Sequence, residues 1–222
     1  LPDFNPNQFG RVSDDARFNR ATKGLYEMGS TFKVLNTAMA LETGAANINQ
    51  RFEVAKPLRI SRFTITDYKP RIRPLNVPEI MVYSSNIGSA RIAEAIGAET
   101  QRAYMDKLGL LDRLPLQLPD TSKPLSPKTW RRTTTATVSY GHGISISMVH
   151  LASAIAAAAG TGHWIPPTLI KPKTGEAPMA MRVFSDSTTR AVRSMMRLVV
   201  SHVDGSGNFA EAPGYMVGGK TG

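Results

Sequence analysis

After a polar, turn-rich opening of 29 residues, apolar positions recur at helical spacing from Ser30 to Leu41. Phe32, Leu35, Met39 and the alanines between them form one stripe, and Gly44 closes the segment. Such a stripe predicts a helix inside the protein rather than on its surface. Leu58, Ile60, Phe63 and Ile65 suggest short extended pieces. Pro78 opens a short helix through Tyr83, and a second helix follows Asn86 and ends near Gly97, so that Ser84 and Asn86 fall at a junction. Glu99 to Leu108 reads as a helix capped by Gly109, after which Pro115, Pro119, Pro124 and Pro127 impose an extended, irregular connection. Ser147 begins a strongly apolar helix containing Met148, Leu151, Ile155 and a run of alanines. A further helix from Ser185 to Val203 turns Val192, Met195, Met196 and Val199 inward. Near the end, the alternation of Tyr215 and Val217 predicts a strand leading into Lys220, Thr221 and Gly222.

Composition narrows this picture by exclusion. With 222 residues, 41% of them hydrophobic and 20% charged, the chain has ordinary globular character and could form one large domain or two small ones. No apolar run approaches the roughly 18 to 20 residues that span a bilayer, the longest being Leu151 to Ala159. The first residues lack the basic start and apolar middle of a secretion signal, so a targeting segment either lies upstream or never existed. The absence of cysteine excludes disulfides, zinc–thiolate sites and a thiol nucleophile. His142, His150, His163 and His202 are widely spaced and lie in no metal-binding pattern, so neither a metal nor a cofactor is expected. Lys and Arg number 27 against 17 Asp and Glu, a net charge of +10 that would attract an anionic polymer or a membrane surface. Arg59, Arg62, Lys69, Arg71 and Arg73 concentrate part of that charge, with Asp67 between them. No helix-turn-helix or aromatic-rich strand accompanies them, so a solvated basic face is expected and nucleic acid is not.

The candidate chemistry begins with Ser30 and Lys33. Three apart on a helix, they share one face, and at the helix start the dipole favours a developing negative charge on the serine oxygen. Burial of Lys33 would disfavour its ammonium form and leave an amine able to accept the hydroxyl proton. The plainer reading is an N-capping serine beside a surface lysine. Two further motifs lie downstream, Ser84-Ser85-Asn86 and Lys220-Thr221-Gly222, and each has a decoy. Ser206-Gly207-Asn208 sits in a Gly-rich string that reads as a mobile turn, and Lys173-Thr174-Gly175 follows Pro172 without a strand pattern. Both are set aside on context.

The trio Ser-x-x-Lys, Ser-x-Asn and Lys-Thr-Gly, in this order and spacing, resembles that of penicillin-binding proteins and serine beta-lactamases. Tyr26-Glu-Met-Gly-Ser-Thr-Phe-Lys33, Tyr83-Ser-Ser-Asn-Ile-Gly88, Ser139-Tyr-Gly-His-Gly143 and Val217-Gly-Gly-Lys-Thr-Gly222 are similar to segments of the class B, division-specific (FtsI-like) peptidoglycan D,D-transpeptidases. Asn86, where elongation-specific relatives tend to carry Asp, points to the division type. The resemblance covers essentially residues 1 to 222 and implies the α+β fold of penicillin-binding transpeptidases. It also implies that family members carry sheet strands before Leu1 and beyond Gly222. This stretch is therefore expected to be a partial transpeptidase domain, truncated at both ends, mainly helical with few strands. Taken as a whole polypeptide, it would lack one of two oxyanion donors and have an impaired site.

What the resemblance implies chemically is acyl transfer between peptidoglycan stem peptides, with beta-lactams trapping the same serine. Ser30 would be the nucleophile, Lys33 the base, Ser84 the proton relay and Asn86 the orienting group. Lys220 and Thr221 would bind the terminal carboxylate, and Gly222 would let substrate backbone approach closely. The implied setting is the periplasmic face of the bacterial inner membrane, anchored by an upstream segment, beside a division glycan polymerase and other divisome proteins. Two rivals stand beside this reading. A class D-like serine beta-lactamase or beta-lactam sensor shares Ser-Thr-Phe-Lys, although those enzymes usually carry Ser-x-Val at the second motif. A non-catalytic basic module for an anionic polymer rests on charge alone.

Overall fold

The computed structural model describes residues 3–173, 175–176 and 179–222. A single turn, α1 (Asp14–Arg17), capped by Ser13, precedes a tight 3-10 turn at Gly29–Thr31 that runs directly into α2 (Phe32–Thr43). Every residue from Phe32 to Ala40 is buried, and α2 ends where Gly44 adopts φ +70°, a left-handed cap that glycine enters without a steric penalty. The predicted stripe understated this burial. Because α4, α7 and α8 all pack against α2, even its polar positions Lys33, Asn36 and Thr37 are enclosed. Asn36 compensates for its enclosure by donating from Nδ2 to the Ser89 carbonyl at 3.0 Å.

Four short strands follow: β1 (Arg51–Phe52), β2 (Leu58–Ile60), β3 (Phe63–Ile65) and β4 (Leu75–Asn76). β2 and β3 form an antiparallel hairpin in register Leu58 with Ile65 and Ile60 with Phe63, turning through Ser61 at φ +56°. β1 pairs antiparallel with β4, which delivers the chain to α3 (Val77–Val82). Asn76 caps α3 reciprocally with Glu79 in a capping box. α4 (Asn86–Ile96) starts at the N-cap Ser85 and α5 (Ala98–Lys107) follows after Gly97, close to the predicted bounds. The proline-rich stretch forms no helix or strand up to α6 (Arg132–Val138). α6 escaped sequence reading because Thr133, Thr134 and Thr135 are poor helix formers. Packing against α4 and a hydrogen bond from Gln101 Nε2 to the Thr135 carbonyl at 3.1 Å favour the helix instead.

α7 (Met148–Ala159) is capped by Ser147 as expected, and a small antiparallel ribbon of β5 (His163–Trp164) and β6 (Met181–Arg182) leads to α8 (Asp186–Ser201). The core lies between α2, α3, α4, α7 and α8 and the inner sides of the two N-terminal ribbons. No helix among the described residues is long and apolar enough to cross a membrane. Mainly helical with few strands, the architecture has the expected balance.

One expected element is missing. Tyr215–Val217 is not a paired strand: the segment runs without a ladder, and Tyr215 and Met216 are 76% and 90% exposed. Alternation specifies two faces, but a strand also needs a neighbouring edge, and none of the described strands lies beside this one. The segment is fastened to α8 instead. Gly219 N donates to the Met196 carbonyl at 3.1 Å, and Arg197 Nη1 donates to the Val217 carbonyl at 2.9 Å. Of the two decoys, Lys173-Thr174-Gly175 has its middle residue outside the described residues.

Candidate active site

α2 carries Lys33 into the interior with no exposed surface, and its Nζ meets three oxygens there. They are Ser30 Oγ at 2.5 Å, Asn86 Oδ1 at 2.7 Å and Ser84 Oγ at 3.3 Å. The last two come from the junction between α3 and α4. Ser84 takes φ +57°, an unusual conformation for a residue with a side chain. It is held there by its own N–H donating to Met81 O at 3.3 Å and by Ser85 N donating to Ile80 O at 3.0 Å. Strain at one residue, imposed by two helix ends, is a common mark of a functional position.

Asp67 fixes the other side of this junction. Its carboxylate accepts from Ser85 Oγ at 2.6 Å, Asn86 N at 2.6 Å and Ile87 N at 2.9 Å, so a negative charge stands at the N-terminus of α4. Asn86 Nδ2 donates to the Thr66 carbonyl at 3.2 Å, which leaves its Oδ1 turned to Lys33. In the sequence, Asp67 showed only as the lone acid within a basic run, with no motif to mark it.

The third motif closes the site. Lys220 Nζ lies 2.9 Å from Ser84 Oγ, so Ser84 stands between two amines, and Thr221 Oγ1 donates to Ser206 Oγ at 3.1 Å. Ser206 belongs to a set-aside decoy. Its segment does not play the part of Ser-x-Asn, but neither is it a free turn. Ser206 N donates to Val82 O at 3.1 Å and Gly207 N to Val199 O at 3.2 Å, which presents the Ser206 hydroxyl beside Thr221. Ser30, Ser84, Asn86, Ser206, Thr221 and Gly222 all line one cleft of about 650 Å³.

Two glycines permit this closeness. A Cβ on Gly222 would come 2.9 Å from the Met28 carbonyl oxygen and 3.0 Å from the Thr31 methyl, so this glycine lets the segment lie against the turn that carries Ser30. That constraint from the protein's own backbone is additional to the substrate approach expected from sequence. Gly141, at φ +80°, sits behind the same turn, where a Cβ would be 2.1 Å from the Gly29 carbonyl oxygen. Tyr26 and Ile146 exchange backbone hydrogen bonds at 2.9 and 3.0 Å nearby, tying the segment that leads into the Ser30 turn to the segment that follows Gly141.

Burial lowers Lys33 to a pKa of about 7, helped by the positive charge of Lys220 and opposed by Asp67. Burial alone lowers Lys220 to about 8. The two amines are thereby pushed apart in basicity: near neutral pH, Lys33 gives up its proton more readily than Lys220. A hydroxyl 2.5 Å from a weakly protonated amine is a nucleophile with its base already in place, and the retained ammonium of Lys220 suits an anionic group of a substrate.

The family model for the penicillin binding protein transpeptidase domain matches residues 1–222. The chain belongs to this family. Among the relatives of this chain is a probable peptidoglycan D,D-transpeptidase FtsI of Caulobacter vibrioides, 40% identical over 222 residues, covering 100% of this chain and 38% of the relative. The probable peptidoglycan D,D-transpeptidase PenA of Neisseria gonorrhoeae is 33% identical over 224 residues, again covering 100% of this chain and 38% of that protein. The transpeptidase domain of penicillin-binding protein 3 from Burkholderia pseudomallei superposes with a TM-score of 0.86 at 34% identity, covering 92% of this chain and 62% of that one. The penicillin-binding transpeptidase fold expected from the motifs is therefore the fold of this chain, which spans 38% of the length of these curated relatives.

Proposed function

We propose that the protein is a serine D,D-transpeptidase that cross-links peptidoglycan stem peptides, with residues 1–222 supplying part of its transpeptidase domain. The observation that carries the reading is the position of Lys33 Nζ, buried, lowered to a pKa of about 7 and 2.5 Å from Ser30 Oγ. Ser30 Oγ attacks the carbonyl of the penultimate D-Ala as Lys33 takes its proton. Ser84, between Lys33 and Lys220, passes a proton to the departing amine of the terminal D-Ala, and an ester on Ser30 remains. An amine of a neighbouring strand then attacks that ester, forms the cross-link and returns the serine. Lys220 and Thr221, with Ser206 beside them, receive the terminal carboxylate. Asn86 orients Lys33, and the Ser30 N–H stabilises the oxyanion.

The names of the relatives support a role in cell division, and with it a periplasmic position at the inner membrane beside a glycan polymerase of the division machinery. Beta-lactams resemble the acyl donor, so they should leave a long-lived ester on the same hydroxyl. Intact-protein mass spectrometry after exposure to a penicillin tests this. A stable adduct of one penicillin mass, absent from Ser30→Ala, is expected. An adduct that persists in Ser30→Ala would overturn the assignment, and rapid turnover of the penicillin would make the protein a beta-lactamase.

A further inference from the structure

Arg71 was expected on a solvated basic face, yet it lines the same cleft as Ser30 and Ser84. Its guanidinium carbon lies 3.9 Å from the ring centroid of Tyr83, the residue immediately before Ser84. Tyr83 is itself a fixed platform, since it ends α3 and meets the His202 ring edge-on at 5.9 Å. Stacking has buried Arg71 Nε without giving it a hydrogen-bond partner, and Arg71 forms no ion pair among the described residues. Its neighbour Arg73 is, by contrast, committed to Glu79 at 2.7 Å. Lys69 lines the same cleft. Asp204 is the acid that lines the cleft with them, and it is ion-paired to neither within the described residues. A rigid, unpaired guanidinium is costly to keep partly desolvated, and its planar fork matches a carboxylate.

We propose that Arg71, with Lys69, forms a second carboxylate subsite, separate from the Lys220 and Thr221 pair, that selects peptidoglycan strands carrying an additional carboxylate. This rests on the acyl-transfer reading above. Its place beside Ser84, where the leaving amine departs and an acceptor amine must arrive, puts the subsite within reach of either strand. The carboxylate could belong to the acyl donor or to the acceptor, and the two are separable by experiment.

For the donor, acylation of the protein and of Arg71→Gln is compared for benzylpenicillin and for the same penicillin bearing a carboxylate on its side chain. For the acceptor, the acyl-enzyme formed from a small thioester donor is partitioned between water and either D-lysine or meso-diaminopimelate, which differ by one carboxylate. The expected result is that the preference for the dicarboxylate falls about tenfold in Arg71→Gln on one of the two arms, and that Arg71→Lys restores part of it. The arm that responds names the strand. Because each preference is a ratio within one protein sample, partial misfolding of a variant does not alter it. A wild-type protein with no preference on either arm, or ratios unchanged by Arg71→Gln, would overturn the subsite. A wild-type protein that neither penicillin acylates would overturn the acyl-transfer reading instead.

Discussion

The two halves of the site are built by opposite means. Ser30 and Lys33 stand on α2 and the 3-10 turn that opens it, where neighbouring helices enclose every residue from Phe32 to Ala40, and Ser84 and Asn86 stand at the α3–α4 junction. Lys220, Thr221 and Gly222 follow the exposed Tyr215 and Met216 without a strand ladder, in a segment fastened to α8 by Arg197 and Gly219 and held against the Ser30 turn by the close fit of Gly222. The half proposed to make and break bonds needs a dry, fixed place to lower an amine's pKa. The half proposed to receive the substrate's carboxylate needs reach and a cation. Damage to the first should therefore appear in the rate of acylation, and damage to the second in the concentration of substrate required.

The largest effect is expected from Lys33. Lys33→Ala should lower the penicillin acylation rate by about a thousandfold, the scale of a positioned general base. Lys33→Met should abolish acylation similarly yet stabilise the fold. The folded-state pKa of about 7 lies below the ordinary 10.5, so the unfolded chain binds the extra proton and the wild type loses stability as pH falls from 10.5 to 7. The methionine variant escapes this loss. Its melting temperature should exceed that of the wild type most clearly below pH 7, with the advantage fading toward pH 10; equal melting curves at pH 6 would contradict it.

Next in size is Gly141→Ala. Its Cβ would strike the Gly29 carbonyl oxygen, and the backbone there is left-handed, so the turn carrying Ser30 must shift. Acylation should fall about a hundredfold with a lowered melting temperature, since small misplacements of a nucleophile cost about that much. Asp67→Ala leaves the Ser85 hydroxyl and two α4 N–H groups without their acceptor. Thermal or urea unfolding should register a loss of about 2 kcal/mol, and acylation should slow about tenfold as Asn86 loosens. The smallest effect, and the sharpest test of the contrast, is Arg197→Ala. It frees Val217 and breaks the pairing with Glu211, so the penicillin concentration for half-maximal acylation should rise several-fold while the limiting rate and the melting temperature stay close to wild type. A fall in the limiting rate would mean that the two halves are not separable.

How legible each half was follows from the same division. Helix periodicity and caps placed α2, α4, α5, α7 and α8 within a residue or two, because amphipathic spacing and capping chemistry are local. The Ser30–Lys33 spacing is equally local, but it stood out only in company with the two downstream motifs. Asp67 was not, because its three donors come from residues 85 to 87 and only the fold brings them to it. Ser206 was set aside since its Gly-rich surroundings resemble a loop, whereas its hydrogen bond to Val82 depends on where α8 ends. The expected strand at Tyr215 to Val217 failed because a ladder depends on a neighbour that alternation cannot specify. Arg71 illustrates the limit most directly: a run of basic residues looks uniform until one of them is found stacked on Tyr83.

The central claim is that burial makes Lys33 a neutral base for Ser30 at physiological pH. The pH dependence of the second-order rate constant for penicillin acylation tests it most directly. The rate should rise as pH passes through about 7, where Lys33 loses its proton, and fall above about 8, where Lys220 loses the charge proposed to hold the carboxylate. The falling limb, but not the rising one, should move when Lys220 is replaced by arginine. A rate that keeps climbing toward pH 10, as for an ordinary lysine, would contradict the account.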